Sequence, residues 1–380
     1  METLQRYIKD KRIVVCCGAG GVGKTTVSAS LALAAARLGR RVLVLTIDPS
    51  RRLAQTLGIS RNRPEPTQLS EDNLARCDIH PPGKLSAWVL DPSLVADRVI
   101  RNLARTPDEA QRLLSNRIYL AATRMIAGMQ EYTAVEALHG LLETGQYDLV
   151  VLDTPPSNNA LSFLDAPVRL ARFLDGRIFK LFVPHKDGFF TGAARKLIYR
   201  VLSTVLGEQS HADFTTFLSA FGSIFRILSG SAKDMKAQLQ AKDVTFLLVT
   251  SSATAAVTDA MYFRNRLRSL ELPCGGFVLN RTNIMDWGLP MPEPHAASVT
   301  DADLRTALEK LLPLAQAEKD GAQRQMALLD ELKTEAGEGS TAAALPEFPG
   351  GVDDLEGLCS LVNWILNEQA PEDGPTEEDI

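Results

Sequence analysis

Apolar residues along this chain gather in short continuous runs. IVVCC (13–17), RVLVLTID (41–48), LSAWVLD (85–91), YDLVVLD (147–153), VTFLLVT (244–250) and CGGFVLN (274–280) are the clearest. Runs of that length with no polar face predict strands buried on both sides, as in a parallel sheet. Between them the pattern changes to helical spacing. TVSASLALAAARLG (26–39) is rich in alanine and leucine and is expected to stop at Gly39. Strands alternating with helices predict an α/β fold, a mostly parallel sheet with helices on both faces.

Two intervals between strands exceed what a crossover needs, and both carry apolar stripes. Leu120, Met125, Ile126 and Met129 form one; Phe214, Phe217, Leu218, Phe221, Phe225 and Leu228 form the other. These predict a helical subdomain contributed by about 92–145 and 160–242, inserted in a single domain spanning 1–368. GSTAAALPEFPGG (339–351) is expected to be a loop from its Gly and Pro content. A last helix should end near Asn367, followed by an acidic, disordered tail over 369–380. There is no internal repeat.

The formal charge of -5 changes little, because the tail holds five acids (Glu372, Asp373, Glu377, Glu378, Asp379) and no base. The body is about neutral, which argues against nucleic acid as a partner. No apolar run is long enough to span a bilayer, and METLQRYIKDKR lacks the apolar core of a signal peptide. The expectation is a cytoplasmic protein that meets a membrane only through a client or partner. Five scattered cysteines without a C-x-x-C pair predict neither a disulfide framework nor a zinc site.

The chemistry enters with GAGGVGKTT (18–26), which satisfies G-x-x-x-x-G-K-[ST] between a strand and a helix. Such a phosphate-binding loop (P-loop) aims backbone N–H groups and a helix dipole at one spot, where a nucleotide polyphosphate is stabilised. Lys24 can reach β/γ oxygens and Thr25 can ligate Mg²⁺. Asp153 and Asp48 end neighbouring apolar runs. Asp153 suits the Walker B acid that holds Mg²⁺, through water; Asp48 suits a base that orients the attacking water. Strand-ending acids can equally be solvated or cap the next helix.

In sequence order these residues resemble the deviant-Walker P-loop ATPases, and among them the arsenite-pump and tail-anchored-protein-targeting ATPase family. TIDPSRRL (46–53) is similar to its switch I and DTPPSNNAL (153–161) to its switch II. WVLDPS (88–93) and GGFVLNRT (275–282) resemble its third and late strand motifs, and LPEFPGGVDDLEGL (345–358) its base-covering loop. The resemblance implies phosphate contacts from Gly20, Gly21, Val22, Gly23, Lys24, Thr25 and Thr26, with Lys24 and Asp48 catalytic. It implies that Asn280 reads the adenine amino group and that Pro346 and Phe348 touch the base. It also implies ATP with Mg²⁺, a dimer that closes on ATP, and a groove for a client's hydrophobic helix.

The departures are as informative. The family's signature lysine is replaced by Ala19, and Ser157, Asn158 and Asn159 stand where switch II carries Gly-His. Three readings stay open at Ala19: a heterodimer with a lysine-bearing paralogue, a replacement cation from Arg51 or Arg52, or a slow, binding-competent ATPase. The intersubunit zinc cysteines of the targeting members are absent, so no zinc is expected. Cys77, Cys274 and Cys359 form no arsenite-type cluster in the sequence, and Cys16 and Cys17 are expected to be core thiols. Only one P-loop is present, so a homodimer or heterodimer would be needed for a composite site. A partition-type ATPase on DNA or membrane is the remaining, weaker alternative.

Overall fold

The computed structural model describes residues 2–47, 52–59, 63–91, 106–115, 140–155, 237–283, 299–337, 339–348 and 350–366, with 94, 97, 101, 137 and 138 between them. Eight strands form one sheet: β1 (Ile13–Gly18), β2 (Arg41–Thr46), β3 (Thr67–Gln68), β4 (Lys84–Val89), β5 (Leu149–Asp153), β6 (Val244–Thr250), β7 (Cys274–Thr282) and β8 (Thr341–Pro346). Their spatial order is β3-β4-β2-β5-β1-β6-β7-β8, and every pairing is parallel except the short β3 against β4. The α/β fold class expected from the apolar runs is present.

Among the described residues the helical elements are α1 (Glu2–Asp10), α2 (Lys24–Arg37), α3 (Arg52–Thr56), α4 (Glu71–Arg76), α5 (Pro107–Leu114), α6 (Thr254–Ser269), α7 (Ala302–Ala336) and α8 (Leu355–Leu366). Side chains of β1 alternate between two cores, which is why its sequence has no polar face. Val14 and Cys16 join a core with α1, α2 and α8; Ile13, Val15 and Cys17 join another with α6 and the end of α7. Helix α2 is buried along nearly its whole length, and its alanines let it lie close to β2 and β5 while α8 covers its other side. Each fully buried Leu or Phe here contributes on the order of 1.5–3 kcal/mol of burial.

Two expectations need correction. The loop expected over 339–351 contains strand β8, which pairs in parallel with β7. Three successive alanines have low strand propensity, but pairing with the edge of β7 satisfies their backbone groups and overrides it. The second run ends as a strand at Thr46, so Asp48 lies beyond it and outside the described residues. Both apolar stripes, from Leu120 to Met129 and from Phe214 to Leu228, the bulk of the expected helical subdomain, and the acidic tail also lie outside them.

Candidate nucleotide site

The P-loop leaves the carboxyl end of β1, in the middle of the sheet, and runs straight into α2. Gly23 caps that helix with φ 90°, a left-handed conformation that favours glycine. A β-carbon at Gly23 would also collide with the Asn280 amide nitrogen. No side chain caps the helix and no acid occupies its first turn. The positive end of the α2 dipole is therefore left without a neutralising group from its own first turn, which suits an anion.

Lys24 opens α2 and is buried, with Nζ donating to the Ala19 carbonyl at 2.8 Å. The Ala19 methyl packs on the α2 core, so the position lacking the family's lysine is an apolar contact. Beside it, the Thr25 hydroxyl donates to Asp153 Oδ2 at 2.8 Å. The Thr46 hydroxyl donates to the same oxygen at 2.9 Å. Asp153 is fully buried at the end of β5, and the backbone carbonyl of that residue accepts from Ile47 at 3.1 Å. Thr154 is tied back to the Cys16 carbonyl through its hydroxyl, 2.8 Å. The carboxylate is thus fixed at the centre of three parallel strands. Hard oxygen donors from Thr25 and Asp153, next to an uncapped helix start, are the donor set that fits Mg²⁺ with a phosphate.

The same loop also meets β7. Asn280 Nδ2 donates to the Val22 carbonyl at 2.9 Å, and the side chain is buried. The register between β7 and β8 shifts between Leu279 and Thr282, and Arg281 within that shift has φ 60°. Such an irregularity re-aims side chains at a sheet edge. Here it follows Asn280 directly and brings Thr282 opposite Pro346. Thr282 then clasps the end of β8 twice, through its hydroxyl to the Leu345 carbonyl and its own carbonyl to the Glu347 amide.

Gly23, Thr26, Asn280, Pro346 and Phe348 line one cleft of about 570 Å³. Thr25 lines the same cleft and is hydrogen-bonded to Asp153, which is itself buried behind it, as Lys24 is; Asn280, Pro346 and Phe348 share the lining with Thr25. Asp48, Arg51 and Ser157 to Asn159 lie outside the described residues, as does the side chain of Arg52. Sequence reasoning missed Thr46, whose signal was its place two residues before Asp48 in a strand neighbouring β5. It missed Arg281 as a cleft residue as well. Cys16 and Cys17 are fully buried, as expected, and burial pushes the Cys16 thiol up to about 12 and Cys17 up as well. Cys77 and Cys359, far apart in the sequence, are brought side by side.

Known proteins resemble this chain over much of its length. The profile of the anion-transporting ATPase family matches residues 11–282. A protein of Streptomyces coelicolor, uncharacterised, is 35% identical over 96% of this chain and 81% of its own length. An ATPase GET3 of Phaeosphaeria nodorum is 25% identical over 57% of this chain and 69% of its own. A protein of Prosthecochloris vibrioformis, provisionally named an arsenical pump-driving ATPase, is 30% identical over 42% of this chain and 36% of its own.

Proposed function

The chain belongs to the anion-transporting ATPase family and is an ATP-binding ATPase, and from that premise we propose that it is a Mg²⁺-dependent, dimeric switch handling a hydrophobic or membrane-linked protein client. The observation that carries the nucleotide part is a cleft shared by Asn280 and by Thr25, whose hydroxyl is bonded to the buried Asp153. Thr25 would hold Mg²⁺ directly and Asp153 through water. When bound, the ion supplies charge neutralisation on the β- and γ-phosphate oxygens.

The amides of Gly20 to Thr26 bind and orient the phosphates, and Lys24 adds the fixed positive charge of the loop. Thr46 holds the Asp153 carboxylate in one orientation. Asp48 accepts a proton from the attacking water. With Nδ2 of Asn280 committed to Val22, its Oδ1 is the acceptor available for an adenine amino group. Pro346 and Phe348 cover the base and exclude water. The dimer and the client, like the helical subdomain over about 92–145 and 160–242 that would hold it, follow from the family resemblance.

One observation favours a second reading. Ala19 packs on the core and gives the loop no second cation, which supports an ATP-binding, weakly hydrolysing subunit that pairs with a lysine-bearing paralogue. ATP turnover of the purified chain separates the two. Turnover that is lost in both Lys24→Ala and Asp48→Asn supports a homodimeric enzyme compensated for Ala19, and Arg51→Ala and Arg52→Ala then test the source of the compensating charge. ATP binding without turnover supports the second reading.

A further inference from the structure

Helix α8 forms part of the cleft wall through Leu358 and Leu361, and its other side lies on α4 and the end of α2. Two polar clasps hold it there. Arg76 pairs with Glu356 at 2.7 Å, and Arg37 donates to Asn363 at 2.6 Å while also pairing with Asp78 at 2.8 Å. Between the clasps sits a sulfur pair: Cys77 at the C-cap of α4 and Cys359 in the second turn of α8, with Sγ atoms 2.6 Å apart. Non-bonded heavy atoms rest at roughly 3.5–4.0 Å. The sulfurs are therefore much closer than packing alone requires, and only about half an ångström beyond the S–S bond of about 2.05 Å. Both are free thiols in the structure.

We infer that Cys77 and Cys359 are a redox-modifiable pair that a low-molecular-weight disulfide oxidises to an intramolecular bond, stapling α8 to α4 across the outside of the cleft wall. The two residues are 282 positions apart, so the bond would close most of the chain into one loop. Cys359 is half-buried and Cys77 is buried, which makes Cys359 the point of entry. The hydrogen bond between the two thiols, with the Arg37 and Arg76 guanidinium groups nearby, holds the Cys359 thiol below the usual range, while Cys77 is pushed up. The lower thiol supplies the thiolate.

The Cys359 thiolate attacks one sulfur of the small disulfide, forming a mixed disulfide and releasing one small thiol. Cys77 then attacks the Cys359 sulfur, breaking the mixed bond and releasing the second. Two electrons pass from the cysteine sulfurs to the oxidant, and the two cysteine protons end on the two released thiols. In the bonded form α8, with its share of the cleft wall, cannot separate from α4.

The test takes the reduced full chain, adds oxidised glutathione, and counts free thiols after denaturation. The count should fall from five to three, matching the five cysteines of the sequence less one bonded pair. Peptide mapping without reductant should find Cys77 linked to Cys359. The thermal unfolding midpoint should rise by a few degrees and return with dithiothreitol, and Cys359→Ser should show neither the link nor the rise. Retention of five thiols, or a stable glutathione adduct on Cys359 with Cys77 still titratable, would overturn the inference. So would an equal rise in Cys359→Ser. The thiol count and map use the native chain, so they stand whether or not the variant folds.

Discussion

The two ends of the cleft are built in opposite ways. The phosphate end is local: residues 18–26 contain the glycines, the lysine and the threonine, and among the described residues Asp153 and Thr46 join them from elsewhere. The base end is assembled from distance, since Asn280 reaches Val22 across 258 positions and Pro346 arrives on the neighbouring edge strand. The two meet at Gly23, which carries the helix start on one side and leaves room for Asn280 on the other. A nucleotide that needs both ends is thus sensitive to residues that touch only their junction.

The comparison can be broken from either end. Lys24→Ala should have the largest effect, because removing a fixed charge from a developing phosphate charge typically costs about 10²–10³-fold in rate; steady-state phosphate release measures it. Gly23→Ala strikes the junction. Backbone strain should cost about 1–3 kcal/mol and displacement of the buried Asn280 amide a similar amount. Urea unfolding should show the loss, with ATP binding weakened even where the variant folds. A variant as stable as the parent would mean that the two ends are not coupled through Gly23.

Asp153→Asn keeps an oxygen for the Thr25 and Thr46 hydroxyls but removes the charge. If the residue holds Mg²⁺ through water, the ion should bind about 10–100-fold more weakly, read as a higher Mg²⁺ requirement for turnover. An unchanged requirement would remove Asp153 from the metal's environment. Thr46→Val should give the smallest effect, about 1 kcal/mol for one lost hydrogen bond, seen in the same Mg²⁺ titration. A loss in Thr46→Val as large as in Asp153→Asn would show that orientation of the carboxylate matters as much as its charge.

Legibility in the sequence follows the same division. The phosphate end could be read from spacing because its geometry comes from consecutive backbone, with glycines where φ is positive and a lysine at a fixed offset. The six buried strands were legible for a related reason: burial on both faces removes polar residues from each run. The base end was reachable only through family resemblance, since nothing local in GGFVLNRT marks Asn280 as facing Val22. Strand β8 was hidden because Ala342, Ala343 and Ala344 carry little strand signal between Gly and Pro, and only the edge of β7 makes them a strand. Thr46 looked like one more strand residue until β2 and β5 were set side by side. The Cys77–Cys359 contact has no sequence signal at all, because it arises where α8 returns over α4.

The central claim is that one cleft grips both ends of an adenine nucleotide. Equilibrium binding of ATP against GTP, in the parent and in Asn280→Ala, tests it most directly. The account predicts a preference for ATP that shrinks in Asn280→Ala, by an amount set by one buried hydrogen bond, about 1–3 kcal/mol. Equal ATP and GTP affinity in the parent, or an ATP preference that survives Asn280→Ala undiminished, would contradict it and leave only the phosphate end as a binding site.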